Sequence, residues 1–229
     1  MVLLSCDNST LTDCVKSSGK FTSQEVSLPP FSNIVLNDDI DFYLQNGTDQ
    51  TVIIKAGKNL IPKIGLEVKE NTLYISNHNY CNWVREPGNP GIYVYSDAIA
   101  GIESYSYNNV NTLDTFRIAR LDLFSDGNGN FNNIITGDSL FIRSDFVSNF
   151  TISGKIKFLH IDIYEDSQFH GRNLIGEWIE VYQKGSNMIE VFPVTALEVR
   201  IVGTGSIYYY NEAVRLDVNI TGEGKLIRK

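Results

Sequence analysis

The sequence has few cysteines and prolines, no long apolar run and no cluster of positive charge. Its 229 residues include 3 cysteines and 6 prolines, and the prolines are placed as expected for loops and coil edges. No apolar stretch approaches the roughly 18–20 residues of a membrane-spanning helix. Lysine and arginine total 19 against 27 acidic residues, and no basic run exceeds two residues. With a net charge of −8, this argues against a nucleic-acid partner, because such proteins cluster basic side chains.

Alternation of apolar and polar residues dominates the chain instead. Leu197, Val199 and Ile201 alternate with Glu198 and Arg200, and several other segments repeat this pattern. A period of two places apolar side chains on one face of a β-strand and polar ones on the other. The helical spacing of i, i+3, i+4 and i+7 is not sustained, and β-branched residues, which favour strands, are abundant. The pattern therefore predicts an all-β protein.

Three columns of residues recur every nineteen positions through the C-terminal half. The first column holds Leu121, Leu140, Leu159, Trp178, Leu197 and Leu216. The second column holds Phe131, Phe150, Phe169, Met188, Ile207 and Leu226. The third is apolar at five of its six positions and holds Ile118, Gly137, Ile156, Ile175, Val194 and Ala213. Apolar columns at a fixed period are typical of a solenoid, in which each repeat stacks on the one before.

Strands repeating every nineteen residues predict a single-stranded parallel β-helix with one repeat per coil. Small residues two positions before the second column are expected to form its corners, where glycine permits positive φ and serine bonds its own turn. These residues are Gly129, Ser148, Ser167, Ser186, Gly205 and Gly224. In the fourth coil Ile179 and Val181 take the inward alternation, so we expect a bulge near Trp178.

The N-terminal half shows the same strand pattern with looser spacing. Ile92 lies nineteen residues after Leu73, and Ile102 lies nineteen before Leu121, so coils of this period are expected to begin before residue 73. We expect one β-helix domain of about ten coils over residues 21–229, irregular over 21–72 and regular over 73–229. Residues 1–20, rich in serine, threonine and aspartate, are expected to be a lipobox-like start and a tether.

The cysteines predict export. Cys6 follows Leu3-Leu4-Ser5, which resembles a bacterial lipobox, so Cys6 is the expected lipidation site. We expect this lipid to be the only attachment of the protein to a membrane. The alternative is a chance match in a short apolar run. Cys14 and Cys81 then remain as a pair for a disulfide that pins the tether to the first coils. Two free thiols in a cytosolic protein are the alternative, since disulfides persist only in oxidising compartments.

The order of several short segments resembles the DUF2807 family, described as putative auto-transporter adhesin, head GIN domain, and common in Bacteroidetes. The segments are Phe31–Leu36, Ile40–Gly47, Val52–Leu60, Asn71–Ile75, Cys81–Trp83 and Ile92–Tyr95, followed by the later Gly-x-Gly bends. The resemblance covers roughly residues 25–225. It implies a right-handed β-helix in an exported, often lipid-anchored protein of the bacterial envelope. It provides no catalytic residue to carry across to this chain, and we expect no cofactor.

An acidic pair is the main candidate for catalysis. Glu198 and Asp217 are nineteen residues apart, so the register places them on neighbouring coils, and paired carboxylates serve polysaccharide lyases and hydrolases. The favoured alternative is a solvated face of mixed charge. His160 and His170 fall in different columns, so no metal site shared with Asp162 is expected.

Aromatic residues are the candidate binding surface. Tyrosine and tryptophan suit stacking on sugars or contact with proteins. The candidates are Tyr208, Tyr209, Tyr210, Tyr164, Tyr182 and Trp83. The alternative is that these rings cap coil ends and pack loops.

These observations favour a non-enzymatic lipoprotein of the cell envelope, with an adhesin-like surface for a glycan or protein ligand. A polysaccharide-active enzyme using Glu198 and Asp217 is one alternative. A purely structural assembly module, including a homo-oligomer, is the other, although the charges of Lys225–Lys229 would discourage edge pairing there.

Overall fold

The computed structural model describes residues 17–79 and 89–229. They form a parallel β-solenoid of about 7 turns with coils of roughly 19 residues, and the strands join one 17-stranded sheet. A short 3-10 helix spans Ile61–Lys63. The strands are β1 (Phe21–Val26), β2 (Asn33–Leu36), β3 (Asp41–Gln45), β4 (Thr51–Gly57), β5 (Ile64–Lys69), β6 (Thr72–Asn77), β7 (Gly91–Tyr95), β8 (Gly101–Ser104), β9 (Asn109–Thr112), β10 (Phe116–Ser125), β11 (Asn130–Ser144), β12 (Asn149–Ile163), β13 (Gln168–Gln183), β14 (Ile189–Ile201), β15 (Ile207–Tyr209), β16 (Arg215–Ile220) and β17 (Leu226–Arg228).

The long strands β11 to β14 each bend, so that two sheets face one another across the core. We call the sheet of residues 120–125, 139–144, 158–163, 178–183, 196–201 and 215–220 the front sheet. The back sheet comprises residues 130–132, 149–151, 168–170, 189–191, 207–209 and 226–228. Both are parallel ladders that join successive coils. Each outward face is therefore a set of columns running along the solenoid.

The core follows the predicted columns through the first three regular coils. Leu121 pairs with Leu140, and Leu140 with Leu159. In the back sheet Phe131 and Phe150 stack with ring centroids 4.4 Å apart and are fully buried. Each coil thus covers the apolar side chains of its neighbour, which is why one coil cannot be stable alone.

The fourth coil departs from the predicted columns because β13 changes register. The pairing of β13 with β14 does shift between Gly176 and Trp178, near the predicted place. The extra residue that displaces the column lies earlier in β13, between His170 and Asn173, opposite Thr151 and Ser153 of β12. Ile179 therefore pairs with Leu159 and is fully buried, whereas Trp178 is 40% exposed. The assignment of Trp178 to the first core column was wrong.

The same shifts correct three more positions of the predicted columns. Ile189 pairs with Phe169 in the place given to Met188, and Met188 is exposed. Ile175 and Val194, assigned to the third column, are also exposed. A strict step of nineteen cannot follow residues inserted by a bulge.

The corners are formed by small residues, but glycine is needed there for a different reason from the one predicted. Ser148 is fully buried, and its hydroxyl lies 2.7 Å from the Ser125 hydroxyl and donates to the Gly127 carbonyl at 2.8 Å. None of the corner glycines has positive φ. A Cβ on Gly205 would instead collide with the Asn187 carbonyl of the preceding coil, so close approach of the backbone requires glycine there.

The N-terminal rungs are stacked out of sequence order. β2 lies between β6 and β8, and β3 lies between β7 and β9. Leu73 consequently pairs with Ile34, and Ile92 pairs with Phe42, so the nineteen-residue interval between Leu73 and Ile92 does not join neighbouring coils. Ile102 pairs with Leu123 rather than with Leu121. This stretch therefore does not continue the regular register.

Antiparallel strands cover the N-terminal end of the solenoid. β4 pairs antiparallel with both β7 and β1, and β5 pairs antiparallel with β6. These strands add no coil, which explains why the turns are fewer than the ten predicted. The parallel ladder therefore ends here against antiparallel strands.

Candidate binding face

The outward face of the front sheet carries aromatic and charged side chains, among them Phe141, Trp178, Glu198 and Asp217. Its strands alternate strictly, so every second residue of each segment points to solvent. Corresponding outward positions one coil apart stand in register, as in the pair formed by Glu198 and Asp217. Side chains distant in sequence are thereby brought into contact. We refer to this surface as the front face.

Three aromatic rings form a platform on the front face. The rings of Phe141 and Phe158 lie 5.5 Å apart, and those of Phe158 and Trp178 lie 6.5 Å apart in an edge-to-face arrangement. Arg120 covers Phe141 with its guanidinium carbon 4.0 Å from the ring centroid. Trp178 is the most accessible member because the bulge in β13 turns its side chain out of the core. We call these three rings the aromatic platform.

A shallow open groove of about 410 Å³ adjoins the platform on the side of the later coils. Its polar side chains provide both hydrogen-bond donors and acceptors and carry both signs of charge. They belong to His160, Glu180, Tyr182, Glu198, Arg200, Asp217 and Asn219. The Nδ1 atom of His160 lies 3.1 Å from a carboxylate oxygen of Glu180. The side of the groove nearest the platform therefore contains a contact between two neighbouring coils.

The predicted acidic pair lies in this groove, but its two carboxylates share one partner. Glu198 and Asp217 are opposite each other on β14 and β16. Arg215 lies 3.1 Å from the Glu198 carboxylate and donates to Asp217 at 2.8 Å. Neither carboxylate stands alone toward solvent, and the group between them is a guanidinium that cannot act as an acid or base near neutral pH.

Of the predicted tyrosines, Tyr182 lines the same groove, and Tyr164 is joined to it through a shared contact with Lys184. Lys184 places its Nζ 3.9 Å from the ring centroid of Tyr164 and 4.4 Å from that of Tyr182, and Arg200 lies 4.9 Å from Tyr182. The hydrogen bond with Tyr164 is the main cause of a raised pKa at Lys184. Within the described ranges, no carboxylate forms an ion pair with Lys184 or Arg200. This corner of the front face is therefore cationic and aromatic.

The other predicted tyrosines lie on the back sheet and are separated from the groove. Tyr209 packs against the core, and Tyr208 lies under Lys229 at 4.9 Å. Tyr210 donates a hydrogen bond of 2.6 Å to Glu190, whose second oxygen lies 3.0 Å from His170 Nδ1. The structure thus divides the predicted tyrosine surface into two parts.

The network of Glu190, His170 and Tyr210 was not found from the sequence. Glu190 is buried, and burial by itself would raise the pKa of its carboxyl. The hydrogen bonds from Tyr210 and His170, with the charge of Arg172, outweigh burial and lower that pKa. The carboxylate in turn raises the pKa of Tyr210. A residue interval of twenty joins each pair, so a search at the nineteen-residue step would miss it.

Several predictions concern residues that the structure leaves undescribed. Cys6, Cys14, Cys81 and Trp83 lie outside residues 17–79 and 89–229. Within those two ranges, no group of three or more histidine, cysteine or acidic residues is placed to hold a metal ion. No helix of the described chain has the length and apolar character needed to cross a membrane.

Comparison with known proteins decides the family. The family model described as putative auto-transporter adhesin, head GIN domain, matches residues 30–213. The chain belongs to the DUF2807 family. The resemblance inferred from short segments of the sequence is thereby confirmed. No curated protein matches this DUF2807 chain.

Solved structures share the fold of this DUF2807 protein. A putative adhesin from Bacteroides fragilis aligns with a TM-score of 0.81 at 20% identity, over 92% of this chain and 97% of its own. A putative adhesin from Parabacteroides distasonis gives 0.71 at 22% identity, over 92% and 98%. A putative lipid binding protein from Parabacteroides distasonis gives 0.65 at 15% identity, over 93% and 98%. At such identities the likeness establishes the fold alone.

Proposed function

We propose that this protein is a non-enzymatic binding module of the cell envelope, adhesin-like, whose front face contacts a glycan or protein ligand. The observation that carries the proposal is the solvent-facing aromatic platform beside an open groove of mixed charge. The description of the family and the names of two structural relatives as putative adhesins support a surface-binding role.

The chemistry of the front face suits a carbohydrate. The apolar C–H face of a sugar ring stacks on tryptophan or phenylalanine, and sugar hydroxyls need neighbouring donors and acceptors. Trp178 offers such a face, and Glu180 and Asn219 offer acceptors and donors in the groove. The columns run parallel to the solenoid axis, so an extended ligand could lie across several coils at about 4.8 Å per coil.

Binding without cleavage is the expected activity. A glycosidase needs one carboxyl group that donates a proton and a second that acts as base or nucleophile. Arg215 is bound to both Glu198 and Asp217, an arrangement that organises the groove and leaves no isolated acid. The pair is therefore assigned to ligand contact and to the stability of the last coils.

A panel of purified glycans, scored for retention and for cleavage, tests this proposal. We expect retention by the unaltered protein without new reducing ends. Trp178→Ala should weaken retention at least about tenfold, the loss expected when a stacking contact of about 1.4 kcal/mol is removed. Tyr208→Ala, on the back sheet, is the matched control and should bind normally.

Two results would contradict the proposal, and a third would narrow the ligand to a protein. Equal loss in both variants would place the contact surface elsewhere, and no retention of any glycan would leave protein ligands as the remaining candidates. Cleavage that disappears in a Glu198→Gln, Asp217→Asn double variant would establish the enzyme instead.

Attachment to the envelope through Cys6 is part of the same proposal. Lipidation of this cysteine after export would hold the solenoid at a membrane surface, and a Cys14–Cys81 disulfide would pin the tether to the solenoid. Metabolic labelling with a fatty-acid analogue should mark the unaltered protein and not a Cys6→Ser variant. Recovery of the unaltered protein only from cytosol, without label, would refute export and anchoring.

A further inference from the structure

The last coil of the solenoid exposes inward-facing apolar side chains whose counterparts in the preceding regular coils are buried. Leu216, Val218 and Ile220 of β16 point toward the interior of the stack, yet they are 45%, 47% and 41% exposed. The residues that pair with the first two, Leu197 and Val199, are 0% and 4% exposed. The difference arises because no described residue covers β16 from the far side. Solenoids ordinarily need a polar capping repeat at such an end.

The backbone of β16 is open at the same edge. Among the described strands, the ladder partner of β16 is β14 alone, and the Thr221 amide donates to the Ile201 carbonyl of that coil. Backbone groups alternate in direction along a parallel strand. The N–H and C=O groups of Leu216, Val218 and Ile220 therefore point away from β14, toward the uncovered side. Unpaired edges with apolar side chains are templates for pairing with another strand.

The two ends of the solenoid are not complementary to each other. At the N-terminal end, β1, β4 and β5 run antiparallel and interrupt the parallel ladder. A head-to-tail stack that continues the coils is thereby disfavoured. The remaining arrangement is isologous, with the same C-terminal edge meeting itself across a two-fold axis, which gives a closed dimer.

We propose that two copies of this chain associate end to end by antiparallel pairing of β16 with β16 of the second copy, centred on Val218. In this register Val218 faces its own counterpart, and Leu216 faces Ile220 of the second copy. A two-fold axis normal to the front sheet keeps inward side chains inward, so the exposed apolar side chains of the two front sheets cover each other. The back-sheet edge at this end carries the charges of Lys225–Lys229, which disfavour pairing there, so the contact is confined to the front sheet. The interface goes beyond the ligand-binding role and leaves most of the front face open.

Outward charges favour this register over the one centred on Asp217. Centred on Val218, the pairing sets Asp217 opposite Asn219, without like charges face to face. A shift of the centre to Asp217 would set two aspartates opposite each other, which destabilises an antiparallel pair. Arg215 is already bound within its own chain to Glu198 and Asp217. The intrachain pairing leaves no unmatched arginine at the interface.

Oxidative cross-linking of the full chain tests the register. Residues that face each other in an antiparallel pair have Cα atoms about 5.5 Å apart, within the range of a disulfide. Val218→Cys should cross-link to itself, with the linked peptide identified by mass spectrometry. Leu216→Cys alone should not, whereas a mixture of Leu216→Cys and Ile220→Cys chains should. Cross-linking of Leu216→Cys to itself as efficiently as Val218→Cys would overturn the register.

Sedimentation of the full chain tests the association itself. The unaltered protein should show a concentration-dependent monomer–dimer equilibrium, and Val218→Lys should raise its dissociation constant at least about tenfold. Val147→Lys, at an exposed valine on a corner of a middle coil, is the matched control and should dimerise normally. Circular dichroism must show that both variants are folded.

Other occupants of the edge give different results. Hydrogen exchange at the amides of Leu216, Val218 and Ile220 should slow as protein concentration rises. Protection that is independent of concentration in a monomer would mean that another part of the same chain covers the edge, and would overturn the proposal. A monomer with fast exchange at all concentrations would overturn it as well.

Discussion

Replacing two adjacent residues, Trp178 and Ile179, tests whether the bulge in β13 sets the inside of the solenoid. The side chain of Ile179 is fully buried, and truncation of such a residue costs about 2–5 kcal/mol through lost burial and the cavity left behind. Trp178→Ala removes an edge-to-face contact with Phe158 and a long cation–π contact with Arg215. Such surface contacts contribute about 1–2 kcal/mol together.

The expected result is an ordering, with Ile179→Ala destabilising the protein more than Trp178→Ala does. Urea unfolding followed by circular dichroism measures both free energies, and equal m-values would show that the unfolding transition is unchanged. A strict nineteen-residue column demands the opposite, because a tryptophan buried in the core costs about 3–5 kcal/mol when truncated. If Trp178→Ala proves the more damaging change, the register described for β13 is wrong.

Two further predictions concern buried polar groups, and a third concerns the cysteines. Ser148→Ala should destabilise the protein by about 1–3 kcal/mol in urea, because the buried Ser125 hydroxyl and Gly127 carbonyl lose their partner. Glu190→Gln should flatten the fall in melting temperature as the pH is lowered from about 5 to about 3. The pKa of Glu190 is lowered in the folded state, so its contribution to stability is complete above the ordinary pKa of a glutamate and is lost as the pH falls through the folded pKa. A non-reducing peptide map should contain a Cys14–Cys81 disulfide, and its removal should cost up to about 4 kcal/mol.

Each of these three predictions has a result that would contradict it. Ser139→Ala, at a half-buried serine of the front sheet, should be nearly neutral, and equal effects at Ser148 and Ser139 would remove any special role for the buried hydroxyl. An unchanged pH slope in Glu190→Gln would mean that the network does not stabilise the ionised carboxylate. Free thiols at both cysteines in exported protein would exclude the disulfide.

The sequence alone determined that the fold consists of β-strands and that they repeat about every nineteen residues. Alternation in segments such as Leu197–Ile201 predicts strands, because side chains of an extended chain point to opposite sides. The interval from Phe131 to Phe150 predicts stacking, because only residues one coil apart can share a core column. Both inferences depend on local or strictly periodic patterns. The first is confirmed by β14, and the second by the pairing of β11 with β12.

The binding face depended on the tertiary structure for a physical reason. A bulge inserts one residue into a strand, and nothing in the local sequence marks its position. Beyond the bulge, the side chains that would face the core face solvent, and the others face the core. Trp178 therefore moved from the expected core to the aromatic platform, and Ile179 took its place. The slip of the fourth coil was visible in the sequence, but its consequence for the surface was not.

The order of the first rungs and the state of the two ends were also decided only in three dimensions. Leu73 and Ile92 are separated by the same nineteen residues as the later columns, but they lie in one rung rather than in two neighbouring coils. The columns predict Leu216 as core, since its column is apolar throughout, yet the residue is exposed because nothing described stacks on β16. Sequence fixes which side of a strand is apolar, whereas burial of that side requires a neighbour, and only the assembled solenoid shows where a neighbour is present.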